Sequence, residues 1–372
     1  MKVLLVSHLF LPHIGGVENL VDIELKYLSQ FGYEATLITS DGSGAGKIPE
    51  YDRVRIIRIP AWHGLEERLG IPYPLFSPQL VQTLIRQILA HDVVHCHGMM
   101  FMGTVAATLL CSFFGKPSVI TDHGGIQQFQ HPLATFAARL LAETAGRLSC
   151  LFANRLIAYN QRIQQTLNRL GARRDAEFLA NPVDVNLFSP RTQQTRQAAR
   201  ATLGWHPQDR KILYVGRLIA TKGLPLLLKA WPHRELIVCG PGDRTLLEEA
   251  PEVSYLPPRP QAELPTLYHA ADVLVLPAQV REGFPLVVQE ALCCGLPVIL
   301  GYDPGFEPYR SIPGLRFCQQ TPESIREAIQ QALTDFPASA IPEQAEKTSF
   351  FPDPAEWIRR IYHPERSAGS KP

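Results

Sequence analysis

The stretch LVLPAQVREGFPLVVQEALCCGLPVI, residues 274–299, decides how the rest of the chain is interpreted. Uninterrupted apolar runs at 273–276 and 298–300 predict two buried strands, and residues 285–294 between them predict a helix. Continuous apolar strands joined by a helix are typical of a parallel sheet that is covered on both faces. The stretch therefore predicts a βαβ unit.

Two glutamates in this unit carry charge that packing does not require. Glu282 follows the first predicted strand, and Glu290 lies inside the predicted helix. Ligands of open α/β sheets bind beyond the carboxyl ends of the strands, next to helix N-termini. We therefore expect Glu282 to face a ligand. The backbone amides expected beside it belong to Gly283, Phe284 and Leu286.

Length and composition argue against several classes of protein. A chain of 372 residues favours two domains, and 36 basic against 35 acidic residues give no sign of a nucleic-acid partner. Seven scattered cysteines without a C-x-x-C pair predict buried, reduced thiols in a cytosolic protein rather than a zinc site. Residues 1–7 predict a strand and not a secretory leader, and the apolar run 98–115 predicts a core helix rather than a membrane span.

The first half of the chain alternates strand and helix patterns, which predicts a doubly wound sheet. Strands are expected at residues 2–7, 35–39, 54–59, 93–97, 118–121 and 156–158, and helices at 17–31, 78–90, 98–115 and over most of 133–174. Residues 60–78, rich in proline and aromatics, are expected to be irregular. Arginines from Arg139 to Arg174 form either a solvated helical face or a patch that meets an anionic lipid or acceptor.

The second half repeats the pattern after a polar segment, 186–204, which we interpret as a linker. Strands are expected at residues 211–215, 235–239, 253–256, 273–276 and 298–300, and helices near 224–230, 245–250, 261–270, 285–294 and 322–335. The repeat in this sequence is therefore one of domains, with two similar α/β halves.

Two cations follow the first strand of the second half. Gly216-Arg217 ends that strand, and Lys222-Gly223 begins the next helix. Paired cations near a helix N-terminus suit a diphosphate, because they stabilise the charge that grows on it as it departs. Two unrelated surface cations would look the same in isolation, but the glutamates in the same half favour a site.

Glycines and histidines at other strand ends are weaker signals. Gly15-Gly16 lies between the first strand and the first helix, where backbone amides could approach a phosphate or simply turn the chain. His123 comes directly after the fifth predicted strand, and that position favours a functional role. For His95 and His97, inside the fourth strand, packing is favoured, and their spacing does not predict a metal site.

With these features the chain resembles the retaining glycosyltransferases of family 4, which have the two-domain GT-B fold. The resemblance runs along nearly the whole chain, and the E-x7-E element from Glu282 to Glu290 is specific. Its motifs are Gly15-Gly16-Val17-Glu18, Thr121-Asp122-His123-Gly124, Asn181-Pro182-Val183-Asp184, Gly216-Arg217, Lys222-Gly223, Glu282-Gly283-Phe284-Pro285-Leu286 and Glu290-Ala291-Leu292. Pro257-Pro258-Arg259 stands where the family usually has a glycine, near the expected nucleobase.

The resemblance implies an α/β fold of two Rossmann-like, doubly wound parallel-sheet domains that face a central cleft. The N-terminal, acceptor-side domain would span residues 1–190, and the nucleotide-sugar-binding domain 205–345. A final helix, at about 350–364, would cross back to the first domain.

The resemblance also implies roles for the candidate residues. Arg217 and Lys222 would hold the diphosphate of the donor, and Glu290 would hold its ribose hydroxyls. Glu282 would face the transferred sugar, with the amides from Gly283 to Leu286 along the sugar and phosphate. In the first domain, His123 would lie beside the reacting sugar. Gly16, next to Gly15, would belong to a loop that closes over the diphosphate.

The implied activity is retaining transfer of a sugar from a nucleotide donor to a saccharide or lipid-linked acceptor, in the synthesis of a surface polysaccharide or glycolipid. No metal or other cofactor is expected, and we find no D-x-D metal motif at a strand end. The implied location is cytoplasmic, with peripheral attachment to the inner membrane face through residues 139–174. A sugar-nucleotide epimerase or phosphorylase of the same fold, or a non-enzymatic binding protein, are the alternatives.

Overall fold

A computed structural model describes residues 1–13, 15–42, 50–69, 71–125, 132–171, 175–279, 283–336 and 351–363. The chain divides into two compact units. The first contains Met1–Pro182 together with the C-terminal segment from Pro354, and the second contains Val183–Asp353. Each unit is built on its own parallel sheet.

The strands are short and mostly buried, as the apolar runs predict. In chain order they are β1 (Lys2–Val6), β2 (Glu34–Ser40), β3 (Val54–Ile59), β4 (Ala61–Trp62), β5 (Leu75–Phe76), β6 (Val93–His97), β7 (Ser118–Asp122), β8 (Arg155–Ala158), β9 (Glu177–Phe178), β10 (Ile212–Val215), β11 (Leu236–Cys239), β12 (Ser254–Leu256), β13 (Val273–Leu276), β14 (Val298–Gly301) and β15 (Leu315–Cys318).

The helices alternate with these strands. They are α1 (Gly16–Gln30), α2 (Gly64–Leu69), α3 (Gln79–Ala90), α4 (Met102–Phe114), α5 (Pro132–Leu141), α6 (Arg147–Phe152), α7 (Gln161–Arg169), α8 (Gln193–Leu203), α9 (Leu224–Ala230), α10 (Leu264–Ala270), α11 (Leu286–Cys293), α12 (Pro322–Asp335) and α13 (Pro354–Tyr362).

The strand order explains where ligands can bind. The first sheet runs β3-β2-β1-β6-β7-β8-β9 and the second runs β12-β11-β10-β13-β14-β15, and the pairings in both are parallel. Winding therefore reverses between β1 and β6 in the first unit and between β10 and β13 in the second. In doubly wound sheets such a reversal opens a crevice at the carboxyl ends of the strands. The predicted α/β class with two Rossmann-like, doubly wound sheets is confirmed.

The last helix completes the first unit rather than the second. Trp357, Ile358 and Ile361 of α13 are almost fully buried and belong to the same hydrophobic cluster as Leu25 of α1 and Leu5 of β1. Burial of an aromatic and two branched aliphatic side chains provides on the order of 1.5–3 kcal/mol each, which is ample to hold a nine-residue helix.

Two expectations about local structure are wrong. Residues 60–78 are not irregular, because β4 and β5 pair antiparallel on either side of α2. The helix expected at 245–250 is only a 3₁₀ turn, Arg244–Leu247. The helical segment expected after residue 133 is present, and a π-helical turn, Ala142–Gly146, joins α5 to α6 within it. The strands β9 and β15 were not predicted.

The predicted linker is also wrong, because α8 lies within it. Thr192 and Thr195 form a capping box at its start. Arg196 and Arg200 of α8 pair with Asp272, at 2.7 and 2.9 Å, so the polar face of the helix is bound to the second unit.

All seven cysteines are buried and unbridged, as predicted. Among the described residues, no helix combines the length and the apolar character that crossing a bilayer demands.

Candidate active site

The second sheet presents both predicted cations on one loop, directly after β10. Arg217 is exposed, and no ion pair among the described residues includes it. Its carbonyl oxygen accepts a hydrogen bond of 2.9 Å from the Tyr214 hydroxyl, which anchors the loop to the strand. Lys222, half-buried, ends the 3₁₀ turn Ala220–Lys222. The loop therefore brings both cations to the carboxyl edge of the sheet, at the reversal point.

Two glycines allow this loop to pack backbone against backbone. Gly223 has φ +79°, and a Cβ atom there would lie 1.9 Å from the carbonyl oxygen of Pro277. A Cβ atom at Gly240 would lie equally close, 1.9 Å, to the carbonyl oxygen of Gly216. The loop that carries the cations is thus fixed against the ends of β13 and β11.

The N-terminus of α11 lies at the same edge, after the end of β13. Phe284 is 2% exposed, and its ring stacks on Tyr309 with centroids 3.8 Å apart, so its side chain belongs to the core. Gly283 and Leu286 are half-buried. These three residues can offer backbone amides to a ligand, whereas Glu282 lies outside the described residues. A cavity of about 180 Å³ lies next to this turn; its lining includes Ala278, Pro285, Gly301, Tyr302 and Asp303.

Glu290 is held inside the second unit by two neutral donors. The Gln261 amide donates to Oε1 at 2.7 Å, and the Tyr268 hydroxyl donates to Oε2 at 2.9 Å. Burial raises the pKa of Glu290, and these two hydrogen bonds partly offset that rise. Each carboxylate oxygen keeps a second lone pair, so Glu290 can still accept hydrogen bonds from ligand hydroxyls.

In the first unit, Gly15 and Gly16 lie at the start of α1, and the carboxylate of Glu18 folds back over Gly15. A Cβ atom at Gly15 would lie 2.2 Å from Oε2 of Glu18, whereas a Cβ atom at Gly16 would meet nothing within 4 Å. Glu18 is 4% exposed and accepts from His13 at 2.8 Å. His13 also contacts Glu66 at 2.8 Å, and the two carboxylates raise its pKa to about 9. Packing therefore explains the glycine at 15 but not the one at 16.

His123 follows β7 directly and is partly exposed. Its Nε2 lies 3.0 Å from Nδ1 of His97, and its Nδ1 lies 3.2 Å from the Tyr159 hydroxyl oxygen. Burial and the neighbouring histidines lower the pKa of His123 well below its ordinary value, so the ring is neutral. A neutral ring with both nitrogens bonded is suited to orienting a substrate rather than to transferring a proton.

His95 and His97 are fully buried, as expected, but in a polar cluster rather than in apolar packing. Glu24 of α1 lies 2.8 Å from His95 Nδ1 and 3.2 Å from His97 Nε2. The three ligating atoms lie within 4.8 Å of one another, close enough to surround a metal ion. His95, however, bonds through both nitrogens, to Glu24 and to Thr121 Oγ1 at 2.8 Å. His95 is therefore fully hydrogen-bonded, whereas Oε2 of Glu24 and Nε2 of His97 lie 3.2 Å apart without a hydrogen bond.

Sequence reasoning missed the residues that hold the predicted ones in place. Glu24 and Tyr159 lie far along the chain from His123, and Gln261 and Tyr268 lie more than 20 residues before Glu290. Single polar residues within helices carry no signal in sequence. One signal does exist in the sequence. The family pattern is broken at Pro257-Pro258-Arg259, and this segment leads into the turn that contains Gln261.

Comparison with known proteins shows the family. The model of glycosyl transferases group 1 matches residues 195–348, and the model of glycosyltransferase family 4 matches residues 14–187. A D-inositol 3-phosphate glycosyltransferase of Corynebacterium urealyticum is 34% identical over 366 residues, covering 86% of this chain and 83% of that protein. The alpha-monoglucosyldiacylglycerol synthase of Acholeplasma laidlawii is 27% identical over 340 residues, with coverage of 83% and 82%.

Solved structures agree in fold. The Anabaena protein HepE, in complex with UDP and glucose, superposes with a TM-score of 0.73 over 100% of both chains at 17% identity. Sucrose-phosphate synthase from Thermosynechococcus elongatus gives a TM-score of 0.67 over 90% of both chains at 20% identity. From its sequence matches and its two parallel sheets, the chain belongs to the family 4 glycosyltransferases with the GT-B fold.

Proposed function

We propose that this glycosyltransferase moves a sugar from a nucleoside diphosphate to a saccharide or lipid-linked acceptor, with retention of configuration and without a metal ion. The observation that carries the proposal is the position of Arg217 and Lys222 on one loop at the carboxyl edge of the second sheet. The structural neighbour HepE supports the donor class, since it was solved with UDP and glucose.

The two cations would act on the leaving group. When the bond between sugar and diphosphate breaks, negative charge grows on the phosphate oxygens. A guanidinium and an ammonium on a loop whose backbone is pinned by Gly223 and Gly240 would meet that charge without rearrangement of the backbone. This electrostatic stabilisation replaces the divalent cation that other transferases use, which is why we propose no metal and no further cofactor.

The rest of the second unit would bind the donor. Glu290 would accept hydrogen bonds from the ribose hydroxyls, and Gln261 and Tyr268 hold its carboxylate for that purpose. The amides of Gly283, Phe284 and Leu286 would run along the phosphate and the sugar, and Glu282 would face the sugar. A backbone turn of this kind recognises oxygen atoms without adding charge.

The first unit would supply His123 beside the reacting sugar and Gly16 close to the diphosphate. The open space around Gly16 supports this role, because nothing within the described residues requires a glycine there. In retaining transfer the phosphate of the donor accepts the proton of the acceptor hydroxyl, so no base is needed from His123.

The acceptor would be lipid-linked or at a membrane surface, with the chain peripheral on the inner, cytoplasmic face. On α5, Phe136 is 66% exposed and Leu140, one turn later, is 55% exposed, with exposed Arg139 between them. Apolar side chains flanked by a cation suit an anionic bilayer. Arg155, in the same region, instead serves the fold, because it pairs with Glu177 at 2.7 Å. Residues 172–174 lie outside the described residues.

An epimerase or a non-enzymatic binding protein is not favoured. The two relatives described above are a glycosyltransferase and a synthase. This chain has Arg217, Lys222 and Glu290, the side chains proposed to bind the donor. A binding protein would not need cations at the point where a diphosphate leaves.

Incubation with UDP-, GDP- and ADP-sugars, with release of free nucleotide as the readout, tests the proposal. We expect release from one nucleotide class, undiminished by EDTA, and a product whose anomeric configuration by NMR matches the donor. Inversion, or dependence on a divalent metal, would contradict the mechanism; no release with any donor and acceptor extract would contradict the function.

Membrane contact is tested separately by flotation with vesicles of phosphatidylglycerol at low salt. We expect the chain to float, and Phe136→Asp to abolish flotation. Phe113→Asp is the matched control, because Phe113 on α4 is 82% exposed but lies outside the proposed patch. Equal loss in both variants, or no flotation of the wild type, would remove the membrane proposal.

A further inference from the structure

A buried row of polar side chains in the first unit leads from α1 to His123. It begins at Glu24, whose fully buried Oε2 lies 3.2 Å from Nε2 of His97 without a hydrogen bond between them. It continues from Nδ1 of His97 to Nε2 of His123, 3.0 Å apart. The rings of the two histidines stack with centroids 5.2 Å apart and planes 12° from parallel. Glu24 therefore reaches His123 through a single side chain.

The contacts of Tyr159 define which ring nitrogen of His123 carries the proton. The Tyr159 hydroxyl donates to the carbonyl oxygen of His123 at 2.6 Å. Because a hydroxyl has only one proton, Nδ1 of His123, 3.2 Å away, must donate to the Tyr159 oxygen. A neutral His123 then has a bare Nε2, which accepts a hydrogen bond from the Nδ1–H of His97. A neutral His97 has no second N–H, so its Nε2 faces Glu24 without donating to it.

A buried cluster of this kind costs folding free energy if its role is purely structural. Burying a carboxylate costs several kcal/mol unless partners compensate for it, and apolar side chains of similar size commonly stabilise a core equally well. Oε1 of Glu24 is compensated by His95 and by the hydroxyl of Tyr362 at the end of α13. Oε2 of Glu24 packs against Nε2 of His97 without a hydrogen bond.

We propose that His97 is a positioning residue, which holds His123 in one orientation and as the Nδ1–H tautomer. This inference rests on the proposed function in placing the reacting sugar at His123. A ring fixed at both nitrogens cannot swing away from the carboxyl end of β7. Glu24 packs behind His97, and the Tyr362 hydroxyl, which donates to Glu24, connects the C-terminal helix α13 to the same cluster.

The first test reads the tautomer of His123 in the unmodified protein by ¹⁵N NMR, without substrate, with the signal assigned by its loss in His123→Gln. We expect a protonated Nδ1 and a bare Nε2. A protonated Nε2 with a bare Nδ1 would overturn the proposal, whether or not the protein transfers sugar.

The second test compares His97→Leu with His97→Asn. Leucine removes the donor, and asparagine keeps an N–H at that position. For leucine we expect kcat to fall about 10- to 100-fold, the range seen when outer partners of a functional histidine are removed. We expect KM for the nucleotide donor to change less than threefold, because His97 is not among the residues proposed to bind the donor.

Asparagine should restore most of kcat and the Nδ1–H signal. His95→Leu is the matched control: His95 lies two residues earlier in β6, is equally buried and contacts Glu24, but does not contact His123. Its His123 tautomer should stay unchanged. An unaltered kcat in His97→Leu, in a protein that transfers sugar, would contradict the positioning role and leave the proposed function intact.

Discussion

The carboxyl edges of the two sheets differ in whether their ionisable side chains are buried or exposed. In the first unit Glu24, His95 and His97 are fully buried and pack against one another, and burial lowers the pKa of His97. In the second unit Arg217 is exposed and Lys222 half-buried, on a loop whose backbone is pinned by glycines. The first edge keeps its ionisable groups away from solvent, whereas the second carries cations at its surface. We infer that orientation belongs to the first edge and charge stabilisation to the second.

The largest effect should come from removing a cation at the second edge. In Lys222→Ala we expect kcat for sugar transfer to fall on the order of 100-fold or more, because charge on the leaving diphosphate is no longer stabilised. The melting temperature should stay nearly constant. Lys229→Ala, at an exposed lysine of α9, is the control and should transfer normally. Unchanged turnover in Lys222→Ala would show that the second edge does not stabilise a leaving group.

A smaller effect should follow from altering the buried carboxylate of the second unit. Glu290→Gln cannot accept from both Gln261 and Tyr268 in the present geometry and loses the charge that would bind ribose. We expect KM for the donor to rise about 10- to 100-fold, equivalent to about 1.5–3 kcal/mol for hydrogen bonds to a charged group. Glu263→Gln, at an exposed residue of the same turn as Gln261, should leave KM unaltered.

The glycine pair of the first edge separates packing from ligand binding. Gly15→Ala pushes against the Glu18 carboxylate, and we expect a loss of about 1–2 kcal/mol in the free energy of unfolding. Gly16→Ala meets no atom, so stability should hold or rise slightly. If Gly16 approaches the diphosphate, this variant should nevertheless lose activity. Chemical denaturation and turnover measured on both variants check this; full activity in Gly16→Ala would exclude the close approach.

The smallest effect concerns two histidines near the start of α1. Burial lowers the pKa of His8 to about 4, while Glu18 and Glu66 raise that of His13 to about 9. Folding therefore favours the protonated form of His13, and the resulting stability is full below pH 6.5 and lost as pH rises through about 9. Allowing for solvent screening, we expect His13→Gln to lose about 1–2 kcal/mol near pH 6 and little above pH 9.5.

Denaturant unfolding of the wild type and His13→Gln across this pH range measures the difference. Glu66→Gln should show a weaker version of the same dependence, since one of the two carboxylates remains. A difference that grows with rising pH would have the wrong sign and would show that His13 is neutral in the folded protein.

The alternation of strands and helices, and the loop with Arg217 and Lys222, could be predicted because their signals are local. An apolar run predicts a buried strand, and a glycine with a cation directly after it marks the strand end. The segment containing α8 shows where this reasoning fails. Its arginines suggest a solvated linker, yet Arg200 is 1% exposed and pairs with Asp272, more than 70 residues away.

The α/β class and the two repeating halves follow from the amino-acid pattern alone, and the same pattern singles out Arg217 and Lys222 as candidates to bind a diphosphate. The surroundings of the candidate residues are visible in the tertiary structure alone. Glu24 lies behind His97 and His123, and Tyr362, 338 residues after Glu24, donates to Glu24. Glu290 is held by Gln261 and Tyr268. The physical reason is that strand and helix patterns follow from neighbours along the chain. Buried polar groups, in contrast, must find partners wherever the fold brings donors and acceptors together.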